Sequence, residues 1–208
     1  MENSRKVLRW KLCIIGDEEV GKTSIIRQFV THQYNQDYHP TIGMNLSVYS
    51  LSLVVGQEAL EIQFSLWDLA GQQSFQPFYG QFFQGVAAVI IVFDLTRVTT
   101  LTQIARWVQM VDKFRISHEL VVVLGNKVDL ISDRPRSTSQ ILAALEPFHL
   151  RQYYETSAKT GENILEVFTG LGSLLYHKWI KNNILIQDMD ATVKLAIDGL
   201  KNQQMKND

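Results

Sequence analysis

Two apolar runs, Ala87 to Leu95, in which Asp94 is the one polar residue, and Leu120 to Gly125, constrain this chain more than any other feature. A strand without polar alternation is buried on both faces, which is the situation of parallel sheets covered by helices on each side. Between the runs, Leu101, Ile104, Ala105, Val108 and Val111 or Asp112 recur at helical spacing, with Leu101, Ala105 and Val108 on one face. Leu8 to Ile15 is an apolar-rich run that ends at Gly16 and leads through a short loop into a helical segment, Thr23 to Thr31. Met44 to Val55 and Leu60 to Trp67 are extended stretches around a turn at Val55-Gly56-Gln57-Glu58. Ser137 to Leu145 and Glu162 to Trp179 read as further helices, with the short run Tyr153 to Thr156 between them. Strands alternating with helices predict an α/β fold with right-handed crossovers, a mostly parallel sheet and helices on both faces. The early hairpin adds one antiparallel edge strand. In such sheets ligands bind beyond the carboxyl ends of the strands.

The loop after the first run is Gly16-Asp17-Glu18-Glu19-Val20-Gly21-Lys22-Thr23, a G-x4-G-K-T pattern. Its glycines let backbone N–H groups wrap a phosphate at a helix N-terminus. Lys22 then reaches the β- and γ-phosphates, and the Thr23 hydroxyl is a ligand for Mg²⁺. Glu18 and Glu19 place carboxylates beside that anion, and side chains directed outward leave binding possible at some cost in like-charge proximity. Asp68-Leu69-Ala70-Gly71-Gln72 follows the second hairpin strand. An aspartate there suits Mg²⁺, usually through water, because hard cations prefer oxygen. The Gly71 N–H is placed for a γ-phosphate and Gln72 for the attacking water. Asn126-Lys127-Val128-Asp129 follows a buried strand, and its aspartate suits the N1–H and 2-amino donors of guanine, which adenine lacks. Thr156-Ser157-Ala158-Lys159 offers backbone N–H groups for a guanine O6 and a lysine to flank the base.

Composition narrows the partners. Of 208 residues 46% are apolar and 20% charged, and 20 Lys+Arg against 21 Asp+Glu leave a net charge of −1. That is globular, with no electrostatic footprint for nucleic acid or an anionic membrane. The single cysteine, Cys13, forms neither an intramolecular disulfide nor a cysteine zinc site. Met1 to Lys11 lacks the apolar stretch of a secretory signal, and the longest apolar run, Val86 to Phe93, falls far short of the ~18 residues of a membrane span.

Taken together, Gly16–Thr23, Thr41, Asp68–Gln72, Asn126–Asp129 and Ser157–Lys159 stand in the order and spacing of the Ras-like small GTPases, which the chain resembles over about residues 8 to 180. Tyr38-His39-Pro40-Thr41-Ile42-Gly43, Phe93-Asp94-Leu95-Thr96, Trp67 and Gln84-Gly85 resemble the Rab branch. The resemblance implies a three-layer P-loop NTPase fold with a six-stranded sheet, a GTPase domain over 1–182 and a helical extension over 183–208. It implies GTP or GDP with Mg²⁺, contacted by Gly16, Glu19, Val20, Gly21, Lys22, Thr23, Ser24, Tyr34, Tyr38, Thr41, Gly71, Asn126, Lys127, Asp129, Ser157, Ala158 and Lys159. Thr23, Thr41 and Asp68 would serve the metal, and Gln72, Lys22 and Thr41 the hydrolysis of GTP. Tyr34 would pack edge-on against guanine, Tyr38 close over the phosphates, Lys127 lie along the base and Ala158 donate to O6. About Asn35 to Gly43 and Gly71 to Gln81 would be two switches, ordered by GTP and read by effector, exchange-factor and activating proteins.

The chain also departs from that family. Small residues usually stand where Glu18 and Glu19 do, and bulk there obstructs an arginine finger, so we expect slow turnover. The alternative is a slow or non-hydrolysing guanine-nucleotide module acting as a scaffold. Leu69 and Gln73 replace the usual threonine and glutamate, and Gln73 to Gln84 is rich in aromatics without a charged residue, which suits partial core packing, an exposed subset that forms a partner surface, or both. With no cysteine near the C-terminus and four lysines balancing four aspartates from Lys181 on, we expect no lipid anchor, a cytoplasmic location and only indirect membrane association. Leu185, Met189, Val193, Ala196 and Leu200 make one apolar helical stripe, suited to packing on the domain or to contacting a partner.

Overall fold

The computed structural model describes residues 6–34, 41–55, 58–131 and 137–183. Six strands, β1 (Lys6–Gly16), β2 (Met44–Val55), β3 (Glu58–Leu69), β4 (Val86–Asp94), β5 (Val121–Asn126) and β6 (Gln152–Thr156), form one sheet in the order β2-β3-β1-β4-β5-β6. Only β2 runs antiparallel, against β3, and every other pairing is parallel. The expected architecture is therefore present, with the hairpin at the sheet edge. β5 is buried at each of its positions and β4 from Ala88 on, which is why neither shows polar alternation.

Among the described residues, six α-helices connect and flank the strands: α1 (Lys22–Thr31), α2 (Tyr79–Phe83), α3 (Val98–Thr102), α4 (Ile104–Lys113), α5 (Thr138–Leu145) and α6, over 164–183. Because strand side chains alternate, β1 feeds two cores. Cys13 and Ile15 join Val89, Ile91, Trp107 and Val111 on one face of the sheet. On the other, Phe29 of α1 stacks on Phe168 of α6 at 3.8 Å between ring centroids, with Phe64 of β3 alongside at 6.3 Å from Phe168. Ser137 caps α5 through a capping box with Gln140, whose N–H and amide satisfy both ends of the exchange.

Two expectations need correction. The helical periodicity after β4 is not one helix but two, broken at Gln103, whose N–H turns back to Thr99 and Leu101. The buried face of α4 is Ile104, Trp107, Val108 and Val111, and Ala105 lies at its half-buried margin. The aromatic stretch divides: Tyr79 and Phe83 are core, Phe75 and Phe82 are half-buried, and Phe78 is 54% exposed. The chain up to Gly170 forms one compact unit, and the described residues from Leu171 on belong to a second, in which Tyr176 stacks on Trp179. Of the expected extension over 183–208 only Asn183 is described; its apolar stripe lies outside the described residues.

Candidate functional site

The loop between β1 and α1 needs its glycines for physical reasons. A Cβ on Gly21, which has φ +97°, would sit 2.2 Å from Asn126 Nδ2. One on Gly71 would sit 2.5 Å from the Asp17 carbonyl carbon. Backbone from the turn after β3 and a side chain from β5 therefore press directly on the loop, and any larger residue would push them apart. Within it Lys22 is buried, with Nζ donating to Gly16 O at 2.9 Å and Asp17 O at 2.7 Å. Burial pulls its pKa down to about 8 against the opposing charges of Asp68, Asp17 and Glu18. An ammonium held by two carbonyls in a cramped loop is a cation awaiting an anion.

Next to it three oxygens converge. Thr23 Oγ1 lies 2.9 Å from Thr41 Oγ1 and donates to Asp68 Oδ2. Asp68 is 1% exposed, and its Oδ1 is buried with no hydrogen-bond partner among the described residues. Burial holds this carboxyl above its usual pKa, with the Thr23 hydroxyl and Lys22 only partly offsetting the effect. A buried acceptor left unsatisfied costs about 1–3 kcal/mol. One carboxylate and two hydroxyls form a hard oxygen set of the kind Mg²⁺ accepts, with water completing its shell. The residues present therefore fit the ion.

The other half of the site lies at the ends of β5 and β6. Gly21, Ser24, Tyr34, Asn126, Lys127, Asp129, Leu130, Ala158 and Lys159 line a cavity of about 140 Å³. Asn126 ties it to the phosphate loop: Nδ2 donates to Val20 O at 2.9 Å, while Oδ1 accepts from Ala158 N at 3.1 Å and Thr156 Oγ1 at 3.3 Å. The Ser157 hydroxyl donates to Asp129 Oδ1 at 2.6 Å, fixing the carboxylate at the cavity wall. Tyr34 is 43% exposed at its mouth. Gly71 and Gln72 border a separate open groove of about 670 Å³, together with Glu18, Arg97 and Arg106. Tyr38 lies outside the described residues; all the other expected site residues lie around this one rim of the sheet.

Sequence reasoning missed a second tier. Asp17 Oδ1 accepts from Arg106 Nη2 at 2.6 Å and from Trp107 Nε1 at 2.9 Å, which moors the phosphate loop to α4. Lys127 is not left alone beside the cavity, since its Nζ sits 2.7 Å from Asp94 Oδ2. Burial alone would raise the pKa of Asp94, but the hydrogen bonds from Lys127 and Thr96 outweigh it and hold the carboxyl below the usual range. Glu18 and Glu19 are exposed, so their side chains do point away from the loop, as phosphate binding requires.

A glycine-rich loop at the centre of a parallel sheet, with a cation seat on one side and a cavity on the other, is the arrangement of P-loop nucleotide-binding α/β proteins. The family model of the Ras family matches residues 11–177. Human Ras-related protein Rab-19 is 32% identical over 159 residues, which is 76% of this chain and 71% of that protein. GTP-binding protein YPT53 of Saccharomyces cerevisiae is 32% identical over 168 residues, 78% and 74% of the two chains. Ras-related protein RabC of Dictyostelium discoideum is 26% identical over 185 residues, 89% and 86%. The chain belongs to the Ras family, as a divergent small GTPase of the Rab branch. No described helix is long and apolar enough to cross a membrane.

Proposed function

We propose that this protein is a switch that binds GTP with Mg²⁺, hydrolyses it slowly to GDP, and changes its partner surface in doing so. The observation that carries the reading is the buried Asp68 carboxylate, whose Oδ2 accepts from the Thr23 hydroxyl beside Thr41 while its Oδ1 has no hydrogen-bond partner among the described residues. Thr41 belongs to the first expected switch and Thr23 to the rigid helix α1, so their pairing supports a switch that closes over the metal seat. Thr23, Thr41 and Asp68 would hold Mg²⁺, which would supply positive charge to offset the charge that develops on the phosphates. Lys22 would hold the β- and γ-phosphates, and the Gly71 N–H the γ-phosphate. Gln72, half-buried at the head of the open groove, would orient the attacking water. Asp129, its carboxylate fixed at the cavity wall by Ser157, would select guanine through the N1–H and 2-amino donors that adenine lacks. Positioning and electrostatics supply the catalysis, without a covalent intermediate.

Slow turnover is expected from Glu18 and Glu19, exposed and bulky on the phosphate loop, where they would obstruct an arginine supplied by an activating protein. Exposed Ile42 (90%), Leu46 (48%) and Phe78 (54%) support an apolar surface for effector, exchange-factor or activating proteins across both switches. The GTPase domain is assigned to 1–182 and the extension to 183–208. Timed chromatography of nucleotide from GTP-loaded protein in Mg²⁺ tests the hydrolysis. GDP should accumulate in the wild type and at least tenfold more slowly in Gln72→Leu. GTP persisting equally in both would replace hydrolysis with the non-hydrolysing scaffold.

A further inference from the structure

Arg97 sits just before α3 and reaches 78 residues back along the sequence to the phosphate loop. Its planar fork meets three acceptors at once. Nε donates to Asp94 Oδ2 at 3.1 Å, Nη2 to the Glu18 carbonyl oxygen at 2.8 Å, and Nη1 lies 3.4 Å from Glu19 Oε2. Asp94 is 1% exposed and is itself fastened by the Thr96 hydroxyl and N–H and by Lys127. The guanidinium is therefore held at its root by a buried carboxylate while its tips grip the loop. Glu19 needs such a grip, because its φ of +62° is a left-handed conformation uncommon for a residue with a side chain.

We propose that Arg97 is a positioning residue that makes an acidic phosphate loop able to hold phosphate; this rests on the nucleotide-switch reading above. Peptide bonds in the described chain are trans, so a carbonyl and the following N–H point to opposite sides. With the Glu18 carbonyl turned to Arg97, the Glu19 N–H is directed away from it, available to an anion cradled by the loop. The same guanidinium keeps the Glu19 carboxylate on the outer side, where its charge is balanced and distant from the phosphates. The Arg97–Glu19 pair is half-exposed and adds little stability on its own. Its effect is on which groups the loop presents. Through Asp94 the brace also shares an acceptor with Lys127, so the base side and the phosphate side of the site are joined by one buried carboxylate.

The test is release of N-methylanthraniloyl-GDP from the full chain in Mg²⁺, followed by fluorescence after mixing with excess GDP. Arg97→Ala should release the nucleotide about tenfold faster, the loss expected for one hydrogen bond to a charged group. Arg97→Lys should stay fast, because an ammonium cannot span three acceptors. Glu19→Gly added to Arg97→Ala should restore slow release, a rescue that a general loss of stability would not produce. Release within twofold of wild type in Arg97→Ala, or fast release that Glu19→Gly leaves unchanged, overturns the role. Should Arg97→Ala not fold, Arg97→Lys with and without Glu19→Gly decides by the same criteria. A wild-type chain that retains no guanine nucleotide overturns the nucleotide reading itself, and with it this role.

Discussion

Asp68 and Asp94 are each 1% exposed, and they sit at the carboxyl ends of β3 and β4, the two strands that flank β1. Their chemistry is opposite. Asp94 receives Lys127, Arg97 and the Thr96 hydroxyl and N–H, and its pKa is driven down. Asp68 has the Thr23 hydroxyl on one oxygen and nothing described on the other, and burial drives its pKa up. The first is a finished structural joint between elements. The second is a seat that the fold leaves incomplete, which is how a ligand position differs from a core ion pair.

Replacing each carboxylate by its amide separates the two, and Asp94→Asn should have the larger effect. It turns an amide N–H₂ or a single acceptor toward donors that need a charge, and should cost about 2–3 kcal/mol of unfolding free energy in urea titration. The half-exposed Lys127 and Arg97 can be rehydrated, which keeps the loss below that of a fully buried pair. The pH sense follows from the lowered folded pKa. The contribution is present above the unfolded value of about 3.9 and is lost as pH falls through the folded one, so the gap between variant and wild type should close in acid. A variant as stable as the wild type at neutral pH would break the comparison at its structural end.

Asp68→Asn should move the other way in stability and be costly in binding. Without nucleotide it removes a buried charge that has one oxygen unpartnered among the described residues and keeps an acceptor for Thr23, so the apo protein should be at least as stable as wild type. With GDP, the advantage that Mg²⁺ gives over EDTA in nucleotide retention should fall by about 10–100-fold, the range for residues that orient a metal's ligands. Equal retention in Mg²⁺ and EDTA by the wild type would remove the cation seat.

How much of this was legible in the sequence depends on the distance over which each signal acts. β4 and β5 announce themselves because burial on both faces leaves no polar residue to interrupt them. Gly21 and Lys22 are legible because a local turn demands the first and a phosphate the second. The break at Gln103 is silent, since no glycine or proline marks it and the apolar spacing continues across it. Trp107 packs in the core and lends its indole N–H to Asp17, a pairing that no local pattern marks. Arg97 with Glu19 and Lys127 with Asp94 are invisible before folding, because only the parallel order β1-β4-β5 brings those loops to one rim. Motifs thus reveal the groups a ligand touches, and the fold reveals the groups that hold them in place.

Lys22 carries the smallest effect and extends the contrast to a cation. Its folded pKa of about 8 lies below the ordinary 10.5, because burial disfavours the ammonium. Below pH 8 folded and unfolded chains both carry the proton, and the burial cost is fully present. From there to 10.5 the unfolded chain keeps a proton that the folded one releases, so stability of the nucleotide-free protein should rise with pH. Between pH 8 and 9 the gain attributable to Lys22 is about 1 kcal/mol. It is read as the difference in thermal stability between wild type and Lys22→Met, which cancels the other titrating groups. GDP should reverse the sense: phosphate beside Nζ favours the ammonium, so binding takes up a proton near pH 8 and affinity declines above it. Calorimetry in buffers of different ionisation enthalpy measures that uptake directly. Binding heats independent of buffer at pH 8 would mean that Lys22 is already a satisfied cation like Lys127, and that Asp68 alone marks the unfinished side of the site.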